Sequence, residues 1–396
     1  MSKRVFVSGY GIVSALGKNA DENLFSLQKQ QSGISKPSHL TTRYKEMMVG
    51  EVKYTNEALT ELTGGKGILS RTALLGFMAA QEAINHAALS NEQLKNAALL
   101  NGTSVGGMDV TERAYSDALK EIPIDYQKKF NGHDCGHSTQ VIANKIGLKG
   151  YLGTISTACS SSANTLMHGA RLIKSGTTDC VIAGGTDALS IFTLNGFNAL
   201  KILDSEWCKP FDQNRKGLNL GEGAAFLVLE SEESIQKRGG RPLAELAGYG
   251  NANDAYHQTA SSPEGNGAYK AIEEAFRVAG LRPETIDYIN AHGTGTANND
   301  QSESLAISKT FGTGVPPYSS TKAFTGHTLG AAGAIEAVFS VMALEHQSLW
   351  PSLNITEPMD LIGAPVSDVK KAEIKHVLSN SFGFGGNCSS LIFSGV

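Results

Sequence analysis

The feature that most constrains this chain is that it repeats itself. Val5-Phe6-Val7-Ser8-Gly9-Tyr10-Gly11 resembles Leu243 to Gly250, and each is a short apolar run that closes on Gly-Tyr-Gly. Leu99-Leu100-Asn101-Gly102-Thr103 parallels Ile289 to Thr294, and Val181-Ile182-Ala183-Gly184-Gly185 parallels Phe382 to Gly386. Three echoes in the same order imply a duplicated unit. The charged stretch Glu232 to Arg241 is the expected seam, dividing the chain into halves 1–240 and 241–396.

Helical patterns fill the intervals. Arg71 to Ala88, Ser160 to Lys174, Gly267 to Ala279 and Ala331 to Leu344 carry apolar residues at helical spacing. Short β-prone runs alternating with such helices predict sheets covered by helices. Ala331 to Leu344 is apolar nearly all round, which predicts a helix buried between two sheets. The expected fold is therefore α/β, two duplicated halves in five layers, α/β/α/β/α.

Composition narrows the class. With 41% hydrophobic and 18% charged residues, the chain is not disordered. A net charge of −4 excludes a broadly basic nucleic-acid binder. The 44 glycines among 396 residues come with only 11 prolines and no Gly-X-Y period, so they mark turns and close approaches rather than collagen. The five cysteines, Cys135, Cys159, Cys180, Cys208 and Cys388, form no CxxC pair, which suits reduced thiols in a cytoplasmic protein. No run of 18 apolar residues occurs, so no membrane span is expected. Lys3 and Arg4 before Val5 to Leu16 imitate a signal peptide, but the repeat reads that segment as a core strand.

Cys159 follows the β-prone run Tyr151 to Thr157 and precedes a helix. A helix N-terminus favours thiolate, lowering a pKa of ~8.5 into the range ~3.5–7.5, and its free amides can bind an oxyanion. Cys159 is thus either a nucleophile or a buried structural thiol. His133-Asp134-Cys135-Gly136-His137 does not match zinc ligand spacing, and no metal is expected.

Two histidines sit in matching contexts. His292-Gly293-Thr294-Gly295-Thr296 follows the strand-like Ile286 to Asn290, and His327, in Thr325-Gly326-His327, opens the apolar helix. An imidazole at such a terminus is held neutral and donates an N–H to developing negative charge. Two such donors on one carbonyl oxygen would stabilise an enolate. Lys322 and Glu336 are either a buried pair beside the histidines or a solvent-reaching Lys with a surface Glu. Asn380 to Asn387 is a Gly-rich loop carrying Phe382 and Phe384, and it is not a GxGxxG dinucleotide site.

Taken together these motifs resemble the β-ketoacyl-acyl-carrier-protein synthases of the thiolase superfamily, nearest the elongating type I/II branch. The resemblance runs along essentially the whole chain. It rests on Ser156-Thr157-Ala158-Cys159-Ser160, His292 to Thr296, Lys322 with Thr325-Gly326-His327, Pro210-Phe211-Asp212 through Gly223-Ala224, and Asn380 to Gly386. It implies a thiolase-like fold and a decarboxylative Claisen condensation, as in fatty acid chain elongation. Cys159 would take the acyl group, and the amides of Cys159 and Phe384 would form the oxyanion hole. His292 and His327 would hold the malonyl thioester while CO2 leaves, with Lys322 and Glu336 supporting them. Phe384 would gate access beside Phe382, Thr294 and Thr296 would bind phosphopantetheine, and Val105 and Phe197 would line the acyl pocket.

The implied partners are an acyl carrier protein and a second subunit, identical in a homodimer or related in a heterodimer, with no nucleic acid and no membrane. No cofactor is implied beyond the carrier's phosphopantetheine. Lys66, Arg71, Lys128 and Lys129 are candidates for a basic patch that receives an acidic carrier. Three departures leave the substrate open. Asn387-Cys388 replaces the usual Thr-Asn, Ser160-Ser161-Ser162-Ala163-Asn164 replaces Ala-Thr-Gly-Ala-His, and Ala297-Asn298-Asn299 replaces a Pro-containing turn. A type II ketosynthase of a polyketide or aryl polyene pathway therefore stands beside fatty acid elongation. A thiolase would bring a second cysteine, and a chain-length-factor-like subunit would lack the active one.

Overall fold

The apolar runs become strands that the duplication arranges twice. The computed structural model describes residues 3–65, 69–120, 130 and 132–396. The first half holds β1 (Val5–Val13), β2 (Ala98–Gly102), β3 (Leu152–Ile155), β4 (Cys180–Asp187) and β5 (Gly223–Ser231). The second holds β6 (Ala244–Asn253), β7 (Tyr288–Asn290), β8 (Tyr318–Ser319), β11 (His376–Phe382) and β12 (Asn387–Ser394), with a small ribbon of β9 (Ser348–Leu349) and β10 (Lys370–Lys371) apart.

Among the described residues, ten strands join in the order β3-β2-β4-β5-β1-β6-β12-β11-β7-β8. Outward from the middle, each half pairs antiparallel twice and then parallel twice. Within the sheet the two halves pair at β1 and β6, through Phe6 with Glu245 and Val7 with Ala244. The signal-peptide mimic is thus β1, a strand buried along its whole length.

Three apolar clusters give the layers. The inner one gathers Leu166 and Met167 of helix Ser161–Lys174, Ile335 and Phe339 of helix Ala332–His346, and strand residues of both halves such as Leu229 and Leu391. On the far side of the first half-sheet, helices Arg71–Ala87 and Cys135–Ile146 pack Leu75 and Ile142 against Phe226 and Val228. On the far side of the second, helices Asn266–Ala279 and Ala297–Phe311 pack Ile272 and Ile307 against Ile289 and Ile392. Helix, half-sheet, helix pair, half-sheet, helix is the expected α/β/α/β/α arrangement. Leu329–His346 has the length and mean hydropathy to cross a bilayer, but 89% of it is buried inside the protein.

The first two echoes fall on equivalent strands, β1 with β6 and β2 with β7. The third does not, because Gly184 and Gly185 lie within β4 whereas Gly383 to Gly386 form the turn after β11. The glycines of β4 serve a close approach. A Cβ at Gly185 would stand 2.6 Å from the Gly102 carbonyl oxygen and from Ser162 Cβ, at the start of the helix that follows Cys159.

Candidate functional site

Cys159 sits on a sharp turn between β3 and helix Ser161–Lys174. Ala158 adopts φ +52°, a left-handed conformation uncommon for a residue with a side chain. The serine run holds this turn. Ser160 Oγ donates to the Thr157 carbonyl at 2.7 Å, and Ser161 Oγ donates to the Ala158 carbonyl at 2.6 Å while accepting from Thr157 N–H at 2.9 Å. Ser162 Oγ accepts from Ala334 N–H at 2.9 Å, tying the two buried helices together.

The thiol of Cys159 is 5% exposed. Burial pushes its pKa up to about 11, against the backbone N–H groups of Phe384 and Cys159 and the charge of Lys322, all of which favour thiolate. The expectation of a lowered pKa is therefore corrected. Desolvation outweighs the helix terminus, and the resting group is a thiol.

His292 and His327 lie with ring centroids 5.3 Å apart and planes nearly perpendicular, and Phe382 sits 5.7 Å from His292. Both imidazoles are buried and held well below the usual histidine range, first by burial and then by the charge of Lys322. His327 precedes its helix by a short 3-10 turn, so desolvation rather than a helix end keeps it neutral.

Lys322 and Glu336 form the buried pair, with side chains 2% and 3% exposed. The ammonium donates to Glu336 Oε1, to the His292 carbonyl at 2.6 Å and to His292 Nδ1 at 3.1 Å. An ammonium has no lone pair, so Nδ1 accepts and the imidazole proton resides on Nε2. Glu336 is pushed up to about 7 by burial, with Lys322 opposing, and its Oε2 has no hydrogen-bond partner among the described residues.

Cys159, His292, His327, Phe382, Phe384, Thr294, Thr296 and Phe197 line one cavity of about 280 Å³. Phe384 stacks on Phe197 with centroids 5.6 Å apart and planes at 16°. Thr294 and Thr296 hydroxyls lie 2.9 Å apart. Val105 does not line this cavity. It packs, with Phe197, into the apolar cluster of Leu189, Leu194, Leu218 and Leu329 behind it.

Arg71 is not part of a surface patch. It starts a helix with its guanidinium turned inward, in a two-pronged pair with Glu222 at 2.7 and 2.8 Å, and it is 6% exposed. Lys66, Lys128 and Lys129 lie outside the described residues. Two other exposed lysines, Lys201 and Lys216, stand at the cavity itself. Among the described residues, no group of three or more His, Cys, Asp or Glu side chains is placed to hold a metal.

Sequence reasoning missed three buried acids that hold the loops. Glu303 accepts from the N–H groups of His292 and Gly293 at 2.9 and 2.8 Å and from Asn380 Nδ2 at 3.1 Å. Asp187 accepts from the N–H groups of Ser104, Val105 and Gly330 at 2.8, 3.2 and 2.7 Å, fixing Val105. Asp300 accepts from Phe211 N–H at 2.8 Å and Gly295 N–H at 3.2 Å. Their one signal is an acidic residue inside an otherwise buried stretch.

Residues 2–234 match the family model described as Beta-ketoacyl synthase, N-terminal domain, and residues 243–356 match Beta-ketoacyl synthase, C-terminal domain. The chain is 33% identical over 411 residues to 3-oxoacyl-[acyl-carrier-protein] synthase 2 of Staphylococcus aureus (strain COL), covering 99% of this chain and 98% of the relative. The ishigamide ketosynthase/chain length factor structure superimposes with a TM-score of 0.95 at 30% identity, covering all of both chains. A type II polyketide synthase acyl-carrier protein in complex with its ketosynthase, bound to the hexaketide, gives 0.89 at 27% identity, again covering all of both chains.

Proposed function

We propose, from the premise that this chain belongs to the beta-ketoacyl synthase family, that Cys159, His292 and His327 divide a decarboxylative condensation between them. The protein is an acyltransferase of the 3-oxoacyl-[acyl-carrier-protein] synthase type, and the condensation is that of fatty acid chain elongation. The observation that carries the division of labour is the single cavity that holds the thiol, both imidazoles and the Phe384 loop.

In the first step Cys159 sulfur attacks the carbonyl of an acyl thioester. The oxygen gains charge and is held by the amides of Cys159 and Phe384. The phosphopantetheine thiol leaves and carries away the proton that the cysteine loses. In the second step the malonyl thioester carbonyl accepts N–H bonds from the two neutral imidazoles. Loss of CO2 leaves an enolate on that carbonyl. Its carbon attacks the acyl-Cys159 carbonyl and expels the sulfur as thiolate, which takes a proton from solvent to restore the resting thiol. The product is a 3-oxoacyl thioester longer by two carbons, and two easier steps replace one hard one. Lys322 acts through His292, presenting its Nε2–H to the cavity.

Thr294 and Thr296 bind the phosphopantetheine arm that carries the substrates at the cavity wall, and we assign the enzyme no cofactor of its own. Lys201 and Lys216, exposed at the cavity with Glu206 3.9 Å from Lys216, would meet an acidic carrier protein. We also assign the nucleophile to residues 1–240 and the histidines to 241–396, a cytoplasmic location, and a second subunit. That subunit is a second copy of this chain in the fatty acid reading. A type II polyketide reading, with a related subunit as mate, is favoured by the paired departures at Asn164 and Asn387 and by the ketosynthase/chain length factor likeness.

Mixing the protein with an acyl carrier protein thioester is expected to leave an acyl mass on the Cys159 peptide, and added malonyl carrier protein then to release CO2. Loading without CO2 release rejects the assignment of the histidines, and no loading points to an idle partner subunit. Val105→Phe fills the apolar cluster behind the cavity and is expected to shorten the longest accepted acyl chain by about two to four carbons, each buried CH2 being worth ~0.8 kcal/mol. Rates across a series of acyl chain lengths measure it, and an unchanged preference removes Val105 from the acyl path.

A further inference from the structure

Two of the three stretches that depart from the family pattern meet in space beside the nucleophile. Asn387 Oδ1 accepts from Asn164 Nδ2 and Asn251 Nδ2, each at 2.9 Å, and lies 2.7 Å from Ser160 Oγ, whose one proton is shared between it and the Thr157 carbonyl. Asn164 Nδ2 also donates to Thr157 Oγ1 at 2.9 Å, and its own Oδ1 accepts from Asn251 Nδ2 at 3.1 Å and Ser389 Oγ at 2.8 Å. The Asn387 oxygen faces two amide NH2 groups, and its own Nδ2 returns a bond to Asn251 Oδ1 at 3.4 Å, so the Asn251 and Asn387 amides pair in both directions. The network therefore joins the Cys159 turn, the end of β6 and the start of β12.

Its position gives it leverage over the site. Asn387 directly follows the loop Gly383 to Gly386, and its carbonyl accepts from Gly383 N–H at 2.8 Å. Gly385 and Gly386 take φ +80° and +81°, a pivot only glycine adopts easily. Backbone bonds tie the loop to the 254–258 segment, through Gly385 N–H to Gln258 O at 2.8 Å and Asp254 N–H to Gly386 O at 2.8 Å. Across the other side it abuts the nucleophile turn, where a Cβ on Gly383 would stand 2.9 Å from the Thr157 carbonyl and 3.1 Å from Cys159 N. The Asn387 side chain binds the loop's far end to that same turn.

We propose that Asn164, Asn251 and Asn387 are a positioning latch that holds the Phe384 loop against the Cys159 turn, sets the spacing of the two oxyanion amides, and makes the residues at 164 and 387 a matched pair. The proposal rests on the condensing reading above and deepens it. With Asn at both, the Asn387 oxygen takes a bond from the Asn164 amide and another from Asn251. The latch acts on acyl loading, which uses both amides, and not on malonyl decarboxylation, which uses the histidines.

The test compares wild type, Asn387→Ala, Asn164→His, Asn387→Thr and the double Asn164→His/Asn387→Thr. Single-turnover loading of Cys159 from an acyl carrier protein is expected to fall about 30-fold in Asn387→Ala at saturating donor, with KM and malonyl decarboxylation changed less than ~3-fold, because a misplaced donor costs rate rather than binding. The double variant is expected to load at least ~5-fold faster than the product of the single effects predicts, which is the signature of coupled residues. Hydrogen exchange of the Gly383 to Gly386 amides, expected ~10-fold faster in Asn387→Ala, reports the latch without reference to activity. Unaltered loading in Asn387→Ala, equal losses in loading and decarboxylation, or additive singles overturn the latch while leaving the condensing reading intact. Failure of wild type to load overturns that reading instead, and hydrogen exchange then decides alone whether the loop is latched.

Discussion

Replacing Cys159 with alanine is expected to abolish acyl loading and to lower condensation by at least ~10⁴-fold, the scale on which removing a nucleophile acts. Malonyl decarboxylation is expected to survive in Cys159→Ala, because the imidazoles, Lys322 and Glu336 are untouched. The pH dependence of the wild-type thiol follows from its burial. With a pKa pushed up to about 11, the group is protonated at neutral pH, and its thiolate fraction rises with pH. Alkylation by iodoacetamide is expected to accelerate about 10-fold per pH unit between roughly pH 7 and 10, since the thiolate is the reactive form. A rate already level above pH 8 means that the two amides and Lys322 outweigh desolvation, and that the enzyme rests with its nucleophile ionised. A Cys159→Ala protein that still condenses removes the covalent step altogether.

How far the sequence speaks depends on whether a residue's partner is near it in the chain. The helices were legible because their apolar spacing is local, and Arg71–Ala87 and Ser161–Lys174 begin and end within two residues of the spacing's limits. The duplication was legible where an echo coincided with a strand, and misleading where glycines recur for different reasons. Gly185 admits a helix, whereas Gly385 bends a loop. Cys159, His292 and His327 stood out because glycines and small residues flank reactive side chains. Glu303 did not, since its ligands are backbone N–H groups at 292 and 293 and an amide at 380. Arg71 read as surface charge because Glu222 neutralises it from 151 positions away. The thiol's pKa was misjudged for the same reason. The helix terminus is local, but the burial that overrides it comes from the whole fold.

Lys322→Met is expected to separate what the buried pair does for the fold from what it does for the chemistry. The substitution strands Glu336 in the core without a cation, a change that costs about 3–5 kcal/mol for a buried pair. The cost depends on pH. Glu336 is pushed up to about 7 with Lys322 present, and removing the cation pushes it further. A carboxyl whose folded pKa exceeds its unfolded value of ~4.3 is most compatible with the fold when protonated. The penalty is therefore largest above pH 7 and shrinks as pH falls toward ~5. Urea midpoints at pH 8 and pH 5 measure it, and a penalty that grows toward acid contradicts the assignment. Removing both charges in Lys322→Met/Glu336→Leu is expected to bring stability back to within ~2 kcal/mol of wild type, because no uncompensated charge remains. Activity is expected not to return with it. Without the ammonium at 3.1 Å, nothing holds the His292 proton on Nε2, and the donor facing the enolate is lost for part of the population. Malonyl decarboxylation is expected to stay about 10²-fold below wild type, the usual cost of one oxyanion donor. A stable double variant that decarboxylates at the wild-type rate makes Lys322 a packing residue and leaves His292 to orient itself.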